Sequence, residues 1–257
     1  MAIVALRWLL VVVLLLTFQR QTLARDWPTL CEHLPYLFVM GTLGLAAFNG
    51  LFYVAAHHTS ALNMGIIQGM MPVFVLLGAL AAYRTPISTR QWVGTSLTLV
   101  GVVVVAAAGD LSRLLELRLN NGDVFVALAT LLYAGYTLGL RRRPESSAIG
   151  LFTVLAVAAF IASIPMVAME AWAGDFQAPT TRGWAIVALV ALFPSFLAQI
   201  MFMRGVELIG PGRAGVFINL VPVFGAIIAV AYLGENFHAY HALSLAMVLV
   251  GIWLAER

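Results

Sequence analysis

Few polar side chains interrupt the apolar stretches of this chain, and their types suit binding rather than bond-making. Asn49 and Tyr53 stand four residues apart, on one face of a helix. Gln68 lies one turn before Pro72, and Asn219 lies three residues before Pro222. Tyr133 and Tyr136 share a face at i,i+3, and Ser195 and Gln199 share another just after Pro194. Amides, hydroxyls and phenol rings can hold a neutral or zwitterionic solute through hydrogen bonds and aromatic faces. Each group also has a plain structural use. An amide between membrane helices contributes about 0.6 kcal/mol as a packing hydrogen bond, and tyrosines gather at bilayer interfaces.

The acidic residues point the same way. Every Asp and Glu lies in a polar break or near the end of an apolar run, and no run carries a carboxylate at its centre. Intramembrane proton relays and cation sites usually need one there. Glu235 and Glu207 could still couple protons from a cavity mouth; an i,i+3 ion pair with Arg204 is the competing use of Glu207. Enzyme chemistry finds little support. His57 and His58 are adjacent and point apart on a helix. His238 and His241 have a metal-compatible spacing but no third ligand nearby in sequence. There is no HExxH, GxSxG or phosphate-binding glycine loop, and Ser195 has no evident His and Asp partners. The sequence therefore implies no enzyme, no metal and no cofactor.

The elements that must position these groups are membrane helices. The chain has 257 residues, of which 62% are hydrophobic and 10% charged, with mean hydropathy +0.98. Soluble domains carry about 25% charged residues, so the chief partner is the lipid bilayer. All 14 basic residues are Arg, scattered through short loops as topology signals are. The net charge of +3 thus gives no reason to expect nucleic acid. The single Cys31 falls in a loop and can form no internal disulfide. A crossing needs about 20 apolar residues. Runs of that order lie at Ala2–Phe18, Leu34–Ala56, Ser60–Ala82, Gln91–Ala108, Val124–Leu140, Ile149–Trp172, Trp184–Met203, Pro211–Leu233 and Ala239–Ala255. The longest polar break, Asp110–Asp123, alternates leucines with Arg113, Glu116 and Arg118 and reads as a helix lying on the membrane surface. This partitions the chain into 1–109, a linker 110–121, and 122–257. An odd number of crossings puts the termini on opposite sides. A cytoplasmic C-terminus leaves only Arg7, Arg113, Arg118 and Arg182 of the arginines outside, with the Arg141-Arg142-Arg143 triplet inside.

The runs are also duplicated. Pro72-Val73-Phe74 recurs as Pro222-Val223-Phe224, an offset of 150 that also matches Phe52 with Phe202, Gly65 with Gly215, Ala79 with Ala229, and Leu99-Val100-Gly101 with Leu249-Val250-Gly251. A proline cannot donate to the carbonyl four residues back; here those carbonyls belong to Gln68 and Ile218. In a membrane, a freed carbonyl is tolerated where protein or a water-lined cavity satisfies it. Two such helices predict a polar cavity in an internal repeat; a packing kink with no ligand is the alternative for either proline alone. The matching runs are the third and eighth. Five crossings separate them, so the repeat is inverted, with four helices in the first half and five in the second. Val124–Leu140 has no first-half partner. Ala2–Phe18 is short and holds Arg7, which would cost roughly 2.5–3.5 kcal/mol facing lipid. The expectation is that the chain starts inside the second helix of such a fold, through truncation or a misplaced start codon. A signal peptide ending near Thr22-Leu23-Ala24 is the competing reading.

In order and spacing, these features resemble the drug/metabolite transporter superfamily and, within it, the EamA-type family. The resemblance covers nearly the whole chain. In the first half it rests on Leu6-Arg7-Trp8, Ala61-Leu62, Pro72-Val73-Phe74 and Leu99-Val100-Gly101. In the second half it rests on Gly122-Asp123, Tyr133-Ala134, Gly210-Pro211, Pro222-Val223-Phe224 and Leu233-Gly234-Glu235. Arg84-Thr85 stands where the family usually has Gly-Glu. The resemblance implies an all-α polytopic helical bundle of two inverted five-helix halves, ten helices in the family against nine here. It also implies an inner-membrane transporter with cytoplasmic ends that exports small metabolites or amphipathic compounds by alternating access. The alternative is a non-transporting membrane component or a truncated, nonfunctional transporter. A homodimer is compatible with the small-residue faces Gly65/Gly69 and Gly41/Gly44, although a bundle needs such faces internally.

Overall fold

The computed structural model describes residues 1–115, 118–233 and 236–256, and all regular structure among them is helical. Helices α1 (Ala2–Phe18), α2 (Arg20–Cys31), α3 (Leu34–Gly41), α4 (Phe48–Ala56), α5 (Ala61–Gly69), α6 (Met71–Tyr83) and α7 (Thr89–Ala106) come first. They are followed by α8 (Asn121–Gly139), α9 (Ala148–Trp172), α10 (Thr181–Val190), α11 (Ala198–Ile209), α12 (Pro211–Val216), α13 (Leu220–Leu233) and α14 (Ala239–Glu256). The chain belongs to the polytopic helical class that its composition demands, and each of the nine apolar runs falls on one or two of these helices. Large apolar side chains such as Ile186, Leu189, Val221 and Ile228 remain more than half exposed, as a surface solvated by lipid requires.

Local sequence explains where the helices start and stop. Ser60, Ser88, Ser147 and Thr180 each accept a hydrogen bond from the backbone N–H three residues on, and Ser88 with Gln91 forms a reciprocal capping box. Thr181–Ala231 is a helical stretch of 51 residues that contains a strongly apolar window, and as one helix it would be about 77 Å long against a hydrocarbon core of about 30 Å. Gly210 breaks it with φ 81°, a left-handed conformation that glycine adopts without strain. Pro211 then restarts the helix at a position where its missing N–H costs nothing. This stretch is therefore two helical runs rather than one.

Several irregularities lie inside the crossings. A π segment, Thr42–Ala47, joins α3 to α4, and another, Ala191–Leu197, joins α10 to α11. A turn at Met70 separates α5 from α6, and a 3-10 turn, Phe217–Asn219, separates α12 from α13. Pro72 and Pro222 thus sit in the first turn of a restarted helix, where proline is tolerated. Element boundaries recur at the 150-residue offset. Starts at 48, 61 and 89 match 198, 211 and 239, ends at 83 and 106 match 233 and 256, and the two π segments differ by 149 to 150 residues.

Two stretches differ from expectation. The region around Cys31, read as a loop, forms α2, bent by 101° from α1. Asp26 ties α2 to the start of α9, accepting from the Ser147 hydroxyl and from its N–H at 2.8 Å. These bonds, the hydroxyl first, with help from Arg25, hold the Asp26 carboxyl below the usual carboxylate range against the opposing effect of burial. Where a surface helix is expected in 110–121, the described residues form one 3-10 turn, Leu111–Leu114, and Leu115 and Leu119 are almost wholly exposed. Glu116 and Leu117 of that stretch lie outside the described residues.

The chain divides into two compact units, each drawing on both halves of the sequence. One comprises Met1–Tyr53 and Gly139–Leu208; the other comprises Val54–Leu138 and the chain from Ile209 onward. Within the first, α1 packs on α9, α1 touches the π segment Ala191–Leu197, and α9 touches the π segment Thr42–Ala47. Trp8 meets Phe152 edge-on. Gly41 lies so close to α9 that a Cβ there would sit 2.5 Å from the Leu155 carbonyl.

Within the second unit, α7 and α14 pack antiparallel. Gly94 faces the Gly251 carbonyl, and Gly101 accepts a hydrogen bond from Ser244 at 2.7 Å. Adding 150 to 94 gives 244, and subtracting 150 from 251 gives 101, so the two contacts are the same contact made twice.

Candidate substrate pathway

In the second unit, the two proline breaks come together. Gln68 and Ile218, whose carbonyls the prolines leave without a helical donor, line one cavity together with Asn219, Pro222, Gly65 and Gly69. The cavity holds about 10 Å³, room for roughly one water. Pro72 is buried in the next turn of α6. The two amides differ in what they do. Asn219 is buried and donates to the Thr98 hydroxyl at 2.9 Å, and Thr98 in turn donates to the Thr95 carbonyl at 2.8 Å. Asn219 is thereby bound to α7. Gln68 is half-buried and makes no side-chain hydrogen bond to other described residues. Of the pair, it alone is free to bind something else.

The remaining candidates in this unit are Tyr133 and Tyr136. Both are buried on one face of α8 with ring centroids 5.4 Å apart. The Tyr136 hydroxyl is buried without a hydrogen-bond partner among the described residues. At the start of α8, Asp123 is buried and accepts from Thr59, from the Asn63 amide at 2.9 Å and from the Asn120 N–H at 2.9 Å. This network clamps the start of α8 to the start of α5. Gly122 permits it, because a Cβ there would meet the His58 backbone at 2.8 Å. Asp123 was legible only through the family resemblance, since Thr59 and Asn63, which it joins, are some 60 residues away in sequence. His241 accepts from the His238 N–H at 3.0 Å, a capping contact.

In the first unit, two candidates turn inward to their own backbone. Pro194 leaves the Val190 carbonyl without its helical donor, and the Ser195 hydroxyl supplies one at 2.8 Å. Asn49 donates to the Leu45 carbonyl at the end of the π segment Thr42–Ala47. Gln199 lies half-buried one turn after Ser195. Glu207 pairs with Arg204 at 2.6 Å, as its spacing predicts, and also with Arg143 at 2.8 Å, from the arginine triplet. Two cations hold it. Glu235 lies outside the described residues.

Tyr53 has a neighbour that the candidate set did not include. Arg7, six per cent exposed, lies beside the Tyr53 hydroxyl and 5.2 Å from the centre of the Trp8 ring. Sequence marked Arg7 only as a cost of insertion; its burial inside the unit removes that cost and raises the question of its counter-charge. Among the described residues, no group of three or more His, Cys, Asp and Glu gathers to hold a metal.

Comparison with known proteins agrees with this architecture. The sequence profile of the EamA-like transporter family matches residues 1–107 and 120–256. The chain is 25% identical over 219 residues to YyaM of Bacillus subtilis, named an uncharacterized transporter, covering 85% of this chain and 72% of that one. It is 24% identical to YedA of Escherichia coli K12, named an uncharacterized inner membrane transporter, over 84% of this chain and 69% of that one. An uncharacterized transporter of Archaeoglobus fulgidus is 26% identical over 92% and 80% of the two chains. A solved crystal structure of a protein shares the fold, with TM-score 0.79 and 16% identity, over 98% of this chain and 85% of that one.

Proposed function

Because the chain belongs to the EamA-like transporter family, we propose that it exports a small neutral or zwitterionic metabolite, or an amphipathic compound, across the inner membrane by alternating access between two inverted repeats. That it is a multi-pass membrane transporter follows from the family and its relatives, and this points away from an enzyme. Direction, substrate and mechanism are our reading.

One observation carries it: two proline breaks, 150 residues apart in sequence, meet at one cavity lined by the free amide of Gln68. The reciprocal α7–α14 contacts and the recurring boundaries support inversion of the repeats. As it stands, the cavity has room for about one water and none for a metabolite. On this reading the broken helices open it to the cytoplasm and then outward, and the turns at Met70 and Phe217–Asn219 absorb the change. The Tyr133–Tyr136 pair offers an aromatic face in the same unit. With two cations on Glu207, any proton coupling falls to Glu235 or to none.

The test is export from cells expressing the intact gene. Intracellular levels across an amino-acid and drug panel should fall for at least one compound, and Gln68→Met should restore them. No change for any compound, with the protein present in the membrane, would overturn the reading.

A further inference from the structure

The most conspicuous unused group is Arg7. Its side chain is buried, and its Nε has no hydrogen-bond partner among the described residues. No carboxylate among the described residues pairs with it: the ion pairs formed use Glu170, Asp26, Asp110 and Glu207 with other cations. Tyr53 is its polar neighbour, and Trp8, whose ring lies 5.2 Å away, also has a buried N–H without a partner among the described residues. A cation buried without a counter-charge is strongly unfavourable; proteins that keep one give it an anion. The planar guanidinium fork matches a carboxylate in two parallel hydrogen bonds.

We propose that Arg7, flanked by Tyr53 and Trp8, is the point at which the transported solute's carboxylate is held. This rests on the transport reading and narrows it. The solute is a zwitterion or an amphipathic compound that carries a carboxylate, and an aromatic or apolar body suits the ring of Trp8. Amphipathic cations lacking a carboxylate are not substrates. The deep burial of Arg7 argues against a lipid headgroup as its anion.

The experiment uses the purified full chain and its Arg7→Gln variant in neutral detergent, with thermal unfolding read in chloride and after addition of benzoate or uncharged benzamide. In chloride the variant should melt no lower than the native chain, since an unpaired buried charge has been removed. Benzoate should raise the native midpoint and leave the variant unmoved, and benzamide should raise neither. Arg7→Lys keeps the charge without the fork, and its half-maximal benzoate concentration should rise at least about tenfold, the factor that 1.4 kcal/mol represents.

A variant that melts lower than the native chain in chloride overturns the proposal, because Arg7 then holds the fold. So does a benzoate shift that is absent, equal in the variant, or replaced by one that needs phosphatidylglycerol. Proteoliposome counterflow separates the two readings. A native chain that moves no solute removes the transport reading while a benzoate shift still stands. An amine lacking a carboxylate, moved equally well by the native chain and the Gln variant, removes the role of Arg7 while transport stands.

Discussion

Gln68 and Asn219 look alike in sequence, each an amide just before a duplicated proline, yet the structure assigns them opposite sensitivities. Gln68→Met keeps an unbranched side chain of similar length and sacrifices no hydrogen bond to the protein. Its stability should stay within about 0.5 kcal/mol of the native chain, while transport falls. Asn219→Ala breaks the 2.9 Å bond to Thr98. Such interhelical bonds average about 0.6 kcal/mol and reach about 1.7. Thr98 keeps its own donor satisfied through the Thr95 carbonyl, which places this bond near the average. The truncation also empties roughly 25 Å³ beside a cavity that already holds about one water, worth about 0.6 kcal/mol at 24 cal/mol per Å³. The expected loss is about 1.2 kcal/mol. Unfolding in bicelles gives both values, and a double-mutant cycle with Thr98→Val should return about 0.6 kcal/mol of coupling. Counterflow measured on the same preparations separates binding from folding. If Gln68→Met destabilises as much as Asn219→Ala, or if positions 98 and 219 show no coupling, the division of labour between the amides is wrong.

Three other perturbations follow from the packing and the charges. Gly94→Ala places a methyl 2.4 Å from the Gly251 carbonyl and should destabilise the chain by about 1–3 kcal/mol or more, whereas Gly135→Ala, with nothing within 4 Å, should be neutral or slightly stabilising in the same unfolding assay. Asp26 has a lowered pKa in the folded chain, so its stabilising effect is complete above the unfolded carboxylate pKa of about 3.9 and is lost as pH falls through the lower folded value. Asp26→Asn should therefore be less stable at neutral pH and show a flatter acid limb than the native chain; an unchanged limb would mean that the Ser147 bonds are not formed. We propose from the arginine distribution that the C-terminus faces the cytoplasm, so a green fluorescent protein fused to it should fluoresce; a dark fusion present at normal levels would reverse the orientation.

What sequence revealed here was period, and what it hid was partnership. The offset of 150 could be read from Pro72-Val73-Phe74 and Pro222-Val223-Phe224 because proline leaves the same mark wherever a helix must break, and the helix boundaries at 61 and 211 or 89 and 239 keep that register. The amides before the prolines were legible as candidates because few polar groups interrupt these runs. Nothing local distinguished their fates. Asn219 finds Thr98 121 residues away, and no periodicity encodes that distance. Ser195 is an instructive case. Its position after Pro194 suggested a binding group, but the same proline frees the Val190 carbonyl, and the nearest hydroxyl takes it. A polar residue next to a proline in a membrane helix has this repair role available before any functional one. Gln68 also neighbours a proline, yet it makes no such repair with its side chain. The π segment Thr42–Ala47 left no sequence signal at all, since Thr-Leu-Gly-Leu-Ala-Ala is compatible with ordinary helix; only its counterpart at Ala191–Leu197 contains a proline. Recurrence of the irregularity without recurrence of its cause implies that packing of the whole, rather than local propensity, sets it. That is also why Arg7 could be priced from sequence but not placed: the cost of a charge is a property of the residue, and its remedy is a property of the fold.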